Sequence, residues 1–79
     1  MKAGDYLCEI GGLRLKLIKI GDTHCEAVCL RKGNSGWVVG QISPLVGINR
    51  LNRMVKNNRD WWIESTPIPH LLKKYYENT

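Results

Sequence analysis

An alternation of leucines with basic residues, LRLKLIKI at positions 13–20, is the feature that most restricts how this chain can fold. Successive side chains of a β-strand point to opposite faces of a sheet, so the leucines share one face while Arg14 and Lys16 share the other. At Leu17 and Ile18 the alternation shifts by one residue. Such a shift predicts a β-bulge, or a strand that bends between two sheets as small barrels require.

Four further segments have the composition of strands, and turn-forming residues separate them. Gly11-Gly12 and Gly21-Asp22 predict the first two turns. The segment THCEAVCL permits two interpretations: a short helix between a Thr23–Glu26 capping box and a Gly33 C-cap, or a strand, which we favour because its apolar residues alternate. The predicted strands cover 4–10, 13–20, 23–30, 37–42 (with a bulge or close approach at Gly40) and 61–65.

One helix is predicted between the fourth and fifth strands, over residues 44–57. Ser43 and Pro44 are typical of a helix start, because a hydroxyl caps the first turn and proline suits its first position. Gly47 weakens the helix by about 1 kcal/mol relative to alanine. Its apolar residues recur at helical spacing, as Leu45, Ile48, Leu51 and Val55.

Two adjacent tryptophans begin the last predicted strand. Alternation directs Trp61 and Ile63 to the core and Trp62 to the opposite face. An outward indole is either covered by the rest of the chain or available to a partner. The segment HLLKKYYEN at 70–78 places leucines and tyrosines four residues apart, as a short docking helix would. We therefore expect the C-terminal segment to cover Trp62.

The order of four strands, a helix and a final strand resembles the architecture of small five-stranded barrels of the SH3-like and OB-like kinds. We expect a mainly β protein with one or two short helices. Residues 1–66 would form the barrel domain, with the helix before its last strand. Residues 67–79 would form an extension with a short C-terminal helix that docks on the barrel.

Length and composition exclude several classes of protein. A chain of 79 residues makes one domain, and a chain of this size buries about 60% of its unfolded surface. No apolar run approaches the ~18–20 residues that span a bilayer, and the N-terminus lacks the ~7–15-residue apolar segment of a secretory signal. The three cysteines are an odd number and indicate reduced thiols. We therefore expect a cytoplasmic protein with no membrane partner.

Metal binding and catalysis are both disfavoured by the spacing of the candidate residues. Cys25 and Cys29 on a strand lie roughly 13 Å apart, too far to share a zinc ion bound at ~2.3 Å. His24 and Cys25 point to opposite faces, so they cannot form a nucleophilic pair, and no oxyanion-hole or phosphate-loop motif is present. We expect buried free cysteines, including Cys8, with no metal, no cofactor and no enzymatic activity.

The segment NRLNRMVKNNR at 49–59 is the strongest candidate for a binding site. It contains four basic residues, four asparagines and no acid. Ordinary solvent-exposed helix faces usually mix both signs of charge, which weighs against a merely solvated face. Arginine binds phosphate through two parallel hydrogen bonds, and asparagine hydrogen-bonds bases. On a helical wheel an arc of roughly 120° opposite the apolar residues contains Asn49, Arg50, Arg53, Lys56 and Asn57.

A basic turn at 31–34 and two tryptophans extend this candidate site. Trp37 follows Arg31 and Lys32, and bases stack on exposed aromatic rings in barrel-type nucleic-acid binders. The alternative is that Trp37 belongs to the core and that the C-terminal segment covers Trp62. The predicted nucleic-acid-binding residues are Arg31, Lys32, Trp37, Asn49, Arg50, Arg53, Lys56 and Arg59.

The sequence therefore predicts a small, non-enzymatic binding module for an anionic partner. The net charge of +5 favours nucleic acid or an acidic protein surface. The alternative is a protein-interaction adaptor or small homo-oligomer, in which the exposed tryptophan and the apolar C-terminal segment make the contacts.

Deleting residues 67–79 tests the predicted role of the C-terminal segment. Loss of about 1 kcal/mol of docking free energy lowers the melting temperature of a domain this small by about 4–8 °C. We expect at least that decrease, together with a red shift of the tryptophan emission as Trp62 becomes hydrated. An unchanged melting temperature and emission would show that Trp62 is exposed in the full chain as well.

Overall fold

A computed structural model of the chain describes residues 1–65. The elements in chain order are β1 (Tyr6–Glu9), β2 (Arg14–Lys19), β3 (His24–Arg31), β4 (Ile42–Val46), α1 (Ile48–Asn57) and β5 (Trp61–Glu64). The predicted extension at 67–79, with its C-terminal helix and its docking on Trp62, lies outside the described residues. No helix within the described range has the length and apolarity that crossing a membrane requires.

The five strands form one antiparallel sheet in the order β4-β3-β2-β1-β5. The mainly β class and the helix before the last strand are confirmed. The sheet is open, with β4 and β5 as its two edges, and α1 connects those edges along the chain.

One face of the sheet carries the main hydrophobic core. Leu7 of β1 pairs with Leu15 of β2 on one side and with Ile63 of β5 on the other, so the three side chains share this face. Leu51 of α1 closes the cluster from above. The other fully or nearly buried members are Leu13, Leu17, Cys25, Ala27 and Cys29, with Trp61 packed against them.

Two register shifts bend the strands β2 and β3. One lies between Leu17 and Lys19 and leaves Ile18 unpaired and exposed, at the position where the alternation of the sequence shifts. The predicted bulge is confirmed. The other shift places Leu30 of β3 as the extra residue between two paired ones, and Leu30 is buried on the second face of the sheet.

The second face carries a smaller apolar cluster. Tyr6, Cys8 and Leu30 are buried there, and Val28 and Trp62 pack against them. Trp61 and Trp62 thus lie on opposite faces, as the strand interpretation of this segment predicts. The favoured strand at 23–30 is also confirmed, because β3 occupies His24–Arg31.

The predicted strand at 37–42 is wrong. Residues 38–41 form a turn, and the fourth strand begins only at Ile42. The amide of Gln41 donates to the carbonyl of Val38 at 2.9 Å, and Gly40 has a φ of 89°. A turn with positive φ at its third residue favours glycine at that place. The amide of Gly40 also donates to the carbonyl of Cys29 at 2.8 Å, and the amide of Cys29 donates to the carbonyl of Gln41 at 2.9 Å. Gly40 and Gln41 thus lie opposite one residue of β3, so the predicted bulge at Gly40 is confirmed.

The predicted helix start at Ser43-Pro44 is also wrong, because both residues lie in β4. Leu45 pairs with Cys25 and packs against the core as a strand residue. Proline is tolerated in a sheet on an edge strand, where β4 lies. The helix begins at Ile48, after Gly47. A side chain at Gly47 would overlap the carbonyl oxygen of Asp22, so a close backbone approach separates strand from helix.

Gly33, in the turn after β3, provides a test of the contact between that turn and the β1–β2 turn. Gly33 has a φ of 55°, and a Cβ there would lie 2.5 Å from the carbonyl carbon of Gly12. We expect Gly33→Ala to lower the free energy of unfolding by about 2 kcal/mol or more, because a left-handed conformation alone costs alanine roughly 1–2 kcal/mol. Chemical denaturation measures the change.

Gly36→Ala is the matched control for this experiment. A Cβ at Gly36 meets no atom within 4 Å, and its φ is not positive. Its free energy of unfolding should stay within about 0.5 kcal/mol of the parent protein. Equal effects of the two substitutions would contradict the described contact between the turns at Gly12 and Gly33.

Candidate functional site

The helix α1 lies on the sheet with its polar arc turned to solvent. Leu51 is 1% exposed, and Ile48, Met54 and Val55 pack against the core. The helical periodicity then directs the opposite side chains outward. The exposed residues include all five that the wheel groups together, namely Asn49, Arg50, Arg53, Lys56 and Asn57.

The charges on this arc are not neutralised by the described part of the chain. Within residues 1–65 no carboxylate lies within ion-pair distance of Arg50, Arg53 or Lys56, and the first turn of α1 contains no acid. Arg50 lies in that first turn, where the helix dipole disfavours a cation. Lys56 in the last turn is favourably placed. Arg50 therefore does not stabilise the helix through its charge.

An open groove runs along one flank of α1. Its volume is about 450 Å³, and β4 contributes Val46, which is 42% exposed, to its lining. The helix contributes two arginines, one asparagine and a methionine, and its C-cap Asn58 completes the lining. The complete lining consists of Val46, Arg50, Arg53, Met54, Asn57 and Asn58.

Four of the six groove residues are not among the predicted binding residues, namely Val46, Met54, Asn57 and Asn58. The sequence places Val46 in the predicted helix, and its place beside α1 follows only from the pairing of β4 with β3. Asn57 lies on the arc that the helical wheel groups together. The helical wheel contains a signal for Met54, which lies about 40° from Arg50 at ~100° per residue.

The basic turn after β3 lies at one end of the sheet. Gly33 packs against Gly12, and the amide of Asn34 donates to the carbonyl of Gly11 at 3.2 Å. Arg31 is half-buried and engaged in other interactions, whereas Lys32 is exposed. The predicted Arg31 and Lys32 therefore flank the β1–β2 turn and do not line the groove.

Arg59 lies on the other side of the same β1–β2 turn. The carbonyl of its neighbour Asp60 accepts a hydrogen bond from the amide of Ile10 at 2.8 Å. The structure thus separates the predicted site residues. Arg50 and Arg53 line the groove, and Asn49 and Lys56 are exposed on α1 outside the groove lining. Arg31, Lys32 and Arg59 belong to segments that contact the β1–β2 turn.

Trp37 and Trp62 both have partners within the fold. Trp37 is half-buried and packs against the main core. This favours the interpretation that Trp37 belongs to the core over the one in which bases stack on its ring. The Trp62 ring lies 5.0 Å from the Arg14 guanidinium, and its Nε1 donates to Glu64 at 3.0 Å. Neighbours on the second face of the sheet therefore hold Trp62 in place.

All three cysteines are free and buried. Burial raises the pKa of the Cys8 thiol to about 11, while Arg14 lowers it and Glu64 adds a smaller rise. Burial also raises the pKa of Cys29. Thiols with raised pKa values are poor nucleophiles near neutral pH. Among residues 1–65, no three His, Cys, Asp or Glu side chains gather at a position that would hold a metal ion.

Comparison of the chain with protein-family models, with curated proteins and with solved structures finds no match. The chemistry of the exposed residues therefore carries the functional argument.

The buried thiols lead to a prediction about reactivity. In the folded protein we expect all three cysteines to resist maleimide at neutral pH, because all three thiols are buried and inaccessible to the reagent. In denaturant without reductant, thiol titration should find three free thiols. Rapid labelling of the folded chain would contradict the described burial, and a stoichiometric zinc signal would contradict the free state of the thiols.

Proposed function

We propose that this chain is a small, non-enzymatic module that binds nucleic acid through the outer face of α1. The observation that carries the proposal is the exposed, acid-free arc of the helix, in which three cations have no carboxylate partner within the described residues. Unpaired cations on one surface attract a polyanion, and the net charge of +5 adds to that attraction.

The residue types on the arc suit a nucleic-acid backbone and its bases. Arg50 and Arg53 are exposed and present guanidinium groups, which bind phosphate through two parallel hydrogen bonds. Asn49 and Asn57 lie on the same arc and offer both donors and acceptors. Phosphate binding would also explain the position of Arg50. The helix dipole stabilises a phosphate near the first turn, where Arg50 lies.

The proposal includes the small-barrel architecture and a cytoplasmic location. The sheet order β4-β3-β2-β1-β5, with α1 between the last two strands in sequence, supports an SH3-like or OB-like arrangement of the strands. Free cysteines support a reducing compartment. In this arrangement the basic turn containing Arg31 and Lys32 would extend the surface beyond α1.

A second candidate function is a protein-interaction adaptor or homo-oligomer. The observation that favours it is the apolar outer side of the edge strand β4, where Ile42 is 61% exposed and Val46 is 42% exposed. Contacts of this kind depend on apolar burial and respond weakly to salt. Salt dependence therefore distinguishes the two functions.

Salt titration tests the main proposal. If about three cations of α1 and its C-terminal turn neutralise phosphates of a duplex, log K against log salt should have a slope near −3. Replacing Arg50 and Arg53 with glutamate should abolish the binding of oligonucleotides and leave the circular dichroism spectrum unchanged. Fluorescence anisotropy at several salt concentrations measures the affinity.

The matched control replaces Lys2 and Lys19 with glutamate. Both side chains are exposed and lie outside α1, so the net charge changes equally while the helix face is intact. We expect this control to bind several-fold more weakly but measurably. Equal losses in the two double variants would show that overall charge, and not the helix face, determines the affinity.

A further inference from the structure

The groove beside α1 has a charged rim and an apolar floor. Val46 and Met54 form the floor, while Arg50 and Arg53 form the rim on the helix side. A ligand that contacted only the arginines would leave Val46 and Met54 in water, whereas a ligand with an apolar part would cover them. The lining therefore suits a ligand that has an apolar part beside its phosphates.

The polar residues form one wall of this groove along the helix. At about 100° and 1.5 Å per residue, Arg50, Arg53 and Asn57 fall within roughly 60° of arc and extend over about 10 Å. Asn58 continues the wall at the C-terminal end. This wall thus has arginines near the N-terminal end of α1 and asparagines near its C-terminal end. Met54 lies between this wall and β4.

A duplex offers this groove no free base face. Its bases are paired and stacked, so a protein meets their edges, the phosphates and the sugars, but not the flat surface of a ring. An unpaired base can turn out of the strand, and proteins that bind single strands combine a positive surface with platforms for the faces of bases. The thioether of methionine is polarisable and packs favourably against aromatic rings.

Building on the proposed function, we propose that the groove binds an unpaired base, so that the chain prefers single-stranded to double-stranded nucleic acid. Arg50 and Arg53 bind the phosphates on either side of the base. The ring lies against Met54 and Val46, and the amide of Asn57 or Asn58 hydrogen-bonds its edge. An acidic peptide also complements the two arginines, but it lacks a flat ring to cover the floor.

Four probes test this inference with the intact chain: a single-stranded oligonucleotide, its duplex, an abasic strand of the same length, and a glutamate-rich peptide of equal charge. Contact of a thioether with an aromatic ring contributes roughly two- to tenfold in affinity. We expect the single strand to bind several-fold more tightly than both the duplex and the abasic strand. Its salt slope should also be shallower per phosphate than that of the duplex.

The variant Val46→Ser tests the apolar floor directly. Val46 is exposed, so the fold tolerates the change, and Val38→Ser is the matched control because Val38 is 66% exposed and lies outside the groove. We expect V46S to bind the single strand several-fold more weakly while its affinity for the duplex is unchanged. V38S should behave as the parent protein with both probes.

The outcomes separate the two proposals. Equal affinities for the single strand, its duplex and the abasic strand would overturn the inference about the groove and leave nucleic-acid binding established. Tightest binding of the glutamate-rich peptide would overturn both and identify an acidic protein as the partner. Absence of binding to every probe at low salt would also overturn both.

Discussion

The contact of Leu51 with the leucines of the sheet is the interaction on which the rest of the structure depends. Leu51 is the one fully buried residue of α1, and it packs in the cluster that contains Leu7, Leu15 and Leu17. Burial of such a side chain contributes about 1.5–3 kcal/mol, which is a large part of the ~5 kcal/mol expected for the smallest domains. The same contact determines the rotation of the helix, and the rotation places the arginines in solvent.

Both faces of the sheet carry an apolar cluster. The face under α1 holds the main core, while the second face holds Tyr6, Cys8 and Leu30 beneath the ring of Trp62. The extra residue in β3 makes this possible, because it turns Leu30 toward the second cluster although Cys29, its neighbour, faces the first. A short chain thereby obtains two apolar clusters from a single layer of strands.

Local patterns are sufficient for four of the five strands (β1, β2, β3 and β5) and for the exposed face of the helix. The alternation in 13–20 predicts both β2 and its bulge, and the wheel needs only residues 48–57 to orient α1. The segment 37–47 was not predictable in this way. Pro44 and Leu45 suit the first turn of a helix as well as an edge strand, and pairing with β3 decides between them. The groove depends on the same pairing, so Val46 gave no local signal.

Pro44 has a consequence for how the molecule behaves among copies of itself. The open sheet ends at β4, and a free edge strand invites another chain to continue the ladder of hydrogen bonds. Proline at the midpoint of β4 has no amide hydrogen to contribute to such a ladder. Templated growth of the sheet, the route by which small open β proteins form fibrils, is therefore interrupted at the centre of this edge.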